Sequence, residues 1–262
     1  MKQRQRVISW TLRISCTLCL IGHGAWGVIT KADWLPFFSL FSIDRTVAYR
    51  LMPLIGLTDI TTGLIILFKP MRGILVGMFG WAVWTALLRP LAGMGWWEFL
   101  ERAGNYGAPF AYLCLSGFPA RGRPWFTRIE EPSLTQEAIR SLTGYLRIFT
   151  ALLMIGHGGF GAFQHKELLI NHFRALGLTF ATIDPRLFIT CFGYVEIALG
   201  LSVLLKPMRP MLLGIVIWKV LTELLYPLSG HLVWEFIERG GSYGVPLSLY
   251  VLCGSSKKEI KP

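Results

Sequence analysis

Charged side chains are scarce in this sequence. Only 16% of its 262 residues are Asp, Glu, Lys or Arg, whereas 53% are hydrophobic, and ordinary soluble domains do not have this balance. The few cysteines lie scattered in apolar stretches, at Cys16, Cys19, Cys114, Cys191 and Cys253. The spacing Cys16-x-x-Cys19 could indicate a redox pair, but a similar segment further along the chain has Thr150 and Leu153 at these positions. The scarcity of charge therefore argues against a soluble globular domain, and the cysteine pattern predicts no disulfide framework.

Long apolar blocks are what the sequence has instead. A helix needs roughly 20 mostly apolar residues to cross a bilayer. Eight such blocks are present, near 10–30, 47–68, 72–92, 98–118, 145–163, 187–205, 208–228 and 236–253. The sequence therefore predicts an all-α, polytopic membrane protein of about eight transmembrane helices, with the lipid bilayer as its first partner.

The net charge of +11 suggests nucleic acid at first sight, but its distribution argues against that partner. The basic residues fall at the N-terminus, in two tight turns, in a linker and at the C-terminus, that is, at Lys2, Arg4, Arg6, 69–72, 119–143, 206–209, Lys257, Lys258 and Lys261. With eight spans, all of these groups lie on one side of the membrane. This positive-inside pattern predicts that both termini are cytoplasmic.

An internal repeat organises the chain. Residues 69–109 and 206–246 align without a gap and are identical at 23 of 41 positions. An even number of helices in each copy predicts parallel repeats, related by a pseudo-two-fold axis along the membrane normal. We expect a first four-helix repeat over 1–118, a cytoplasmic linker over 119–143 and a second repeat over 144–262.

Each copy keeps a histidine in its first helix and a carboxylate in its second helix, namely His23 with Asp59 and His157 with Glu196. Each of these residues lies ten positions from a basic residue at the cytoplasmic end of its helix, or about 15 Å along a helix. Ionisable groups at such a depth cost roughly 2.5–3.5 kcal/mol or more when unpaired. We therefore expect each histidine to contact the carboxylate of its own copy, either as a ligand or proton site or as a structural lock between two helices.

A second polar layer recurs near the predicted outer face. It consists of Glu98, Arg102 and Tyr106 in the first copy and of Glu235, Arg239 and Tyr243 in the second. Spacing of four residues puts each trio along one helix face. The trio is either an ion pair with a tyrosine that holds the end of the fourth helix, or an anion or headgroup site at a broken helix. The remaining histidines, His165, His172 and His231, have no counterpart and are assigned to outer loops, and no metal site is predicted.

The four-helix plan resembles the DoxX-like family of small bacterial membrane proteins. The matching elements are the glycine-rich end of the first helix, 22–27, the acid-x-x-x-Gly motifs Asp59/Gly63 and Glu196/Gly200, and the basic turn that follows each motif. The resemblance implies a bacterial inner membrane location, and some members of this family are membrane subunits of quinone-linked sulfur oxidation. The Gly-His-Gly and Trp-Glu-Phe-x-Glu-Arg sequences of this chain are not part of that resemblance.

Four functions fit these features. The first is a redox-associated membrane protein that binds a quinone or a similar lipid-soluble ring, with His and carboxylate exchanging protons. The second is a proton-coupled transporter of a small solute, and the third is a haem protein with His23 and His157 as axial ligands, which is the less favoured cofactor. The fourth is a non-catalytic assembly partner of another membrane protein. No helix carries the string of polar positions that a wide aqueous pathway needs, and this favours a lipid-soluble ligand.

Overall fold

The computed structural model describes residues 2–119, 124–130, 135–177 and 184–255. The first repeat contains α1 (Lys2–Val28), a 3-10 turn (Ala32–Trp34), α2 (Leu35–Ser39), α3 (Arg45–Phe68), α4 (Arg72–Leu91), α5 (Trp96–Glu101) and α6 (Ala103–Ser116). The second repeat contains α7 (Gln136–Ala162), α8 (Glu167–Ala175), α9 (Pro185–Leu205), α10 (Arg209–Leu228), α11 (Trp234–Glu238), α12 (Gly240–Leu252) and a 3-10 turn (Cys253–Ser255). The regular structure of the described residues is all-helical, as expected, and the segments 2–116 and 136–255 are called the first and second half below.

Six helices within the described residues are long and apolar enough to cross a membrane, namely α1, α3, α4, α7, α9 and α10. The expected spans at 98–118 and 236–253 are not single helices. The first is divided into α5 and α6 by a break at Arg102, and the second into α11 and α12 by a break at Arg239. The described residues therefore have six helices that are compatible with a membrane protein, and the last expected span of each half is a pair of short helices.

Short-range capping sets the beginnings of several helices. The Asp44 side chain accepts hydrogen bonds from the first free backbone N–H groups of α3, and Asp184 and Thr135 do the same for α9 and α7. A polar side chain at this position satisfies donors that have no partner inside the helix. The apolar spans α3, α7 and α9 therefore begin where the sequence supplies such a cap.

The connection between the halves packs onto the first basic turn. The backbone nitrogen of Ile129 donates to the Pro70 carbonyl at 2.8 Å, and that of Gly73 donates to the Trp125 carbonyl at 2.8 Å. The end of the expected linker 119–143 is helical, because α7 begins at Gln136. Residues 120–123 and 131–134 of the linker, and the C-terminal Lys257, Lys258 and Lys261, lie outside the described residues.

The two halves interlock through their first helices. α1 packs against α3 of its own half and also against α11 and α12 of the other, while α7 packs against α9 and also against α5 and α6. A Cβ atom at Gly22 would overlap the backbone of Glu238, and one at Gly156 would overlap the backbone of Glu101. Glycine is therefore required at both crossings. At each crossing, the helix that carries the histidine lies against a glutamate of the opposite half.

Candidate functional site

Both expected His–carboxylate contacts are confirmed. His23 Nδ1 lies 2.6 Å from Asp59 Oδ2, and His157 Nδ1 lies 2.8 Å from each carboxylate oxygen of Glu196. Both carboxylates are almost fully buried. α1 and α3 supply the first pair and α7 and α9 the second, so each pair joins the first two long helices of its half. The role of these pairs as ligand or proton sites stays a prediction.

The position of the carboxylate has a chemical consequence for His23. An acid on Nδ1 keeps a proton on that nitrogen, which leaves Nε2 to accept a hydrogen bond or, in the cation, to donate one. The hydrogen bond of the His23 ring within the described residues is the one from Nδ1 to Asp59. The pair therefore presents one unused ring nitrogen in a fixed orientation.

A cavity of about 150 Å³ opens beside His23 in the first half. Its walls come from the α1–α3 connection, α3 and α4, and its aromatic members are Trp34, Phe37, Phe38, Phe41, Trp81 and Trp84. The His23 ring stacks on Trp34, with ring centroids 4.5 Å apart. Phe41 and Trp84 are 52% and 39% exposed, so the cavity opens to the surroundings on that side. The polar members of the wall are His23, Thr85 and Arg89.

The corresponding place in the second half is filled. The cavity at His157 and Glu196 measures only about 20 Å³. Phe192 takes the position of Ile55 and stacks on Trp218, with the two rings nearly parallel and 5.5 Å apart. Trp218 also donates from Nε1 to Glu196 Oε1 at 2.6 Å. The second pair is therefore buried in protein, and only the first faces open space.

The expected ion pairs of the outer layer are also confirmed. Arg102 donates to Glu98 at 2.8 Å, and Arg239 donates to Glu235 at 2.7 Å. The tyrosines of this layer do not join the ion pairs, because Tyr106 and Tyr243 donate to the backbone carbonyls of Phe99 and Phe236 at 3.4 and 2.8 Å. Each arginine also donates to the carbonyl of its paired glutamate. The trio therefore stabilises a break in the fourth helix of each half.

Two lysines that the sequence patterns did not single out complete this layer. Lys31 forms an ion pair with Glu235, and Lys166 forms one with Glu98, so each bridges the two halves. Their ammonium groups lie over the rings of Trp26 and Phe160 at 4.0 and 3.6 Å. Lys31 follows His23 by eight residues, and Lys166 follows His157 by nine. An alignment of the two halves that permits a one-residue gap pairs these lysines.

Among the residues that the structure describes, the second half contains a buried charge cluster without a counterpart in the first half. Lys219 lies 2.6 Å from Glu223, which also lies 2.9 Å from Arg239 Nε. These are close ion pairs without hydrogen-bond geometry. The equivalent positions in the first half are Ala82 and Ala86. Two charges four residues apart inside an apolar span are a recognisable sequence signal, although the sequence-based expectations above did not include them.

The two glutamates at the crossings of the halves have different surroundings. Glu101 lies 2.8 Å from Arg102 and 3.6 Å from Arg239. Glu238 is 8% exposed, and no cation among the described residues lies within 4.0 Å of it. Another small cavity, distinct from the one at His157, is lined by Glu238, His23, Arg89 and Arg102. Its volume of about 20 Å³ is enough for one water molecule.

The unrepeated histidines are partly misassigned. His165 is exposed, but His172 lies on α8 and is buried, with its ring 4.5 Å from that of Tyr226 in an edge-to-face contact. α8 packs against α9 and α10, and its buried residues are Ile170 and His172. Across residues 2–119, 124–130, 135–177 and 184–255, no group of three His, Cys, Asp or Glu residues is placed to hold a metal ion.

Comparisons with known proteins give no match to a family model, to a curated protein or to a solved structure.

Proposed function

We propose that this chain is a membrane protein whose first half binds a lipid-soluble ring compound, with a quinone as the favoured class. The observation that carries the proposal is the aromatic cavity beside His23. A volume of about 150 Å³ accommodates one six-membered ring, and a second, fused ring would extend through the open side at Phe41 and Trp84. Aromatic walls with a few polar groups are typical of sites for flat, largely apolar ligands.

The polar groups of this wall suit a ligand that carries an oxygen acceptor. His23 holds its proton against Asp59 and has Nε2 unused. In the cationic form Nε2 donates a hydrogen bond to a carbonyl oxygen, and in the neutral form it accepts one from a hydroxyl group. A histidine can take up a proton from a bound ligand or give one to it, and a quinone and its quinol require such proton exchange.

The fold leads us to propose a specific arrangement in the membrane. The broken pairs α5–α6 and α11–α12 act as the fourth and eighth spans, and the halves are parallel repeats related by a pseudo-two-fold axis. The reciprocal packing of α1 and α7 on the opposite halves supports this symmetry. The basic turns and termini support a cytoplasmic location of both ends. The resemblance to DoxX-like proteins leads us to propose a bacterial inner membrane.

A titration with menadione, a neutral naphthoquinone, tests the proposal on the purified protein. We expect binding to the wild type at roughly one site per chain, measured by isothermal titration calorimetry in detergent. Ile55→Phe copies the residue that fills the second half, so it should abolish binding without unfolding the chain. Leu57→Phe is the matched control, because Leu57 is 56% exposed on the same helix, and it should bind as the wild type does. Equal binding by wild type and Ile55→Phe would contradict the proposal.

A further inference from the structure

The cavity of the first half is bordered by an arginine without a carboxylate. Arg89, near the end of α4, lines both the 150 Å³ cavity and the smaller 20 Å³ cavity. Its side chain makes no hydrogen bond and no ion pair within 4.0 Å to any described residue, and its Nε atom is enclosed without a partner. Its one close contact of note is with the ring of Phe37, whose centroid lies 5.4 Å from the guanidinium carbon.

The acids around Arg89 are engaged elsewhere or held at a distance. Glu98 is paired with Arg102 and Lys166, and Glu101 with Arg102 and Arg239. Glu238 lines the 20 Å³ cavity with Arg89, yet no hydrogen bond or ion pair joins the two. The guanidinium therefore has no carboxylate partner among these acids, and Arg89 lines the larger cavity.

The repeat supplies an internal comparison. The position of Arg89 is occupied in the second half by Tyr226, whose hydroxyl accepts a hydrogen bond from Arg239 at 2.9 Å. That half has no open cavity of comparable size beside its histidine. An arginine without a partner thus occurs in the half with the open aromatic cavity. Charge-assisted hydrogen bonds are stronger in an apolar environment, so an acidic oxygen is the ligand group that such a guanidinium binds most strongly.

From this arrangement we infer that the cavity selects ring compounds that carry an ionised oxygen, such as a hydroxyquinone or an aromatic carboxylate, and that Arg89 binds this oxygen. The inference rests on the proposed ring-binding function and narrows its ligand class. In the bound state the ring lies among Trp34, Trp81 and Phe37, with its acidic oxygen on Arg89. A neutral acceptor oxygen on the same ring is then left for His23.

Menadione and lawsone form a matched pair of probes, because they share one naphthoquinone ring and differ in a methyl group against an acidic hydroxyl group. We expect the wild type to bind lawsone at least about tenfold more tightly than menadione, since a hydrogen bond to a charged group has about this effect. In Arg89→Gln the preference should disappear, while menadione still binds within about threefold of its wild-type affinity. Retained menadione binding shows that this variant is folded.

Two further variants sharpen the test. Arg89→Lys keeps the charge and should retain part of the preference for lawsone, whereas Arg50→Gln removes an exposed arginine of α3 and should leave both affinities unchanged. If the wild type binds both probes equally and Arg89→Gln changes neither, the inference is overturned while the ring-binding function stands. If neither probe binds the wild type, the ring-binding function and the inference are both overturned.

Discussion

At the scale of single residues, partner atoms decide which buried charges stabilise the fold and which are available for chemistry. Asp59 and Glu196 are equivalent in sequence, yet Glu196 accepts hydrogen bonds from both His157 and Trp218, whereas Asp59 has only His23. Trp81, the equivalent of Trp218, has an enclosed Nε1 without a partner. The side chain of aspartate is one methylene group shorter than that of glutamate, which accounts for the missing hydrogen bond between Trp81 and Asp59 in the first half.

The glutamates at the crossings give a prediction that separates these roles. Glu101→Gln should lower the free energy of unfolding by about 2 kcal/mol, because it removes one of the two carboxylates paired with Arg102 and the nearby negative charge at Arg239. Glu238→Gln, at the equivalent position, should cost less than about 1 kcal/mol, because the carboxylate has no ion pair to lose. Denaturation of both variants in detergent measures the difference. Equal losses would contradict the asymmetry between the two crossings.

His172 gives a prediction for pH. Burial, followed by the nearby His231, lowers the pKa of His172 from 6.5 to about 4. The folded protein therefore keeps this ring neutral at a pH at which the unfolded chain takes up a proton. Its contribution to stability is complete above pH 6.5 and is lost as the pH falls towards 4.

Melting temperatures of His172→Phe and the wild type across this range test the point. The wild type should lose more stability on acidification than His172→Phe does, because phenylalanine keeps the edge contact with Tyr226 and binds no proton. The control is His165→Asn, at an exposed position, which should follow the wild-type curve. An identical pH dependence of His172→Phe and the wild type would show that the buried ring is not responsible.

At the scale of elements, the packing of the first helix of each half sets the geometry of the site. α1 and α7 cross the opposite half at glycines, and the broken helices α5–α6 and α11–α12 fit against them. The break in each broken helix occurs at an arginine that donates to a carbonyl four residues earlier. The interruption therefore leaves fewer backbone groups without a partner in an apolar environment.

Gly156→Ala tests this crossing directly. The added methyl group would meet the backbone of Glu101, which cannot move without displacing α5, so we expect a loss of about 3 kcal/mol. Gly214→Ala is the matched control, because no atom lies within 4 Å of the added Cβ on α10, and it should be neutral or slightly stabilising. The free energies of unfolding of the two variants provide the comparison. A Gly156→Ala protein as stable as Gly214→Ala would contradict the close approach.

The sequence predicts some of these contacts well and others not at all. The His–carboxylate pairs are predictable because the rise of a helix is fixed, so equal counts from basic residues place His23 and Asp59 at one depth. The cavity could not be predicted, because it depends on side-chain size at one position. Ile55 leaves a space open in the first half, whereas the larger Phe192 fills the equivalent space in the second half. Lys31 and Lys166 were missed because a one-residue difference in spacing hides their equivalence. Contacts between the halves depend on how distant helices pack together, so they cannot be predicted from the spacing of residues within one helix.

At the scale of the whole molecule, the two halves have similar sequences and different interiors. The second half carries the buried Lys219–Glu223 pair, the helix α8 and a filled pocket. The first half carries the open aromatic cavity and an arginine without a partner. If the proposed ring-binding function holds, the first half binds the ligand and the second half contributes mainly to the stability of the fold.

The ring-binding site is tested most directly by identifying the ligand that the protein retains when it is purified from its native membrane. The absorbance spectrum and the extracted lipid fraction of the purified wild type should show a ring compound of the quinone class at up to one molecule per chain. The same analysis of Ile55→Phe, purified in parallel, should show none of it. A haem absorption band, or the same extract from wild type and Ile55→Phe, would contradict a ring-binding site in the first half.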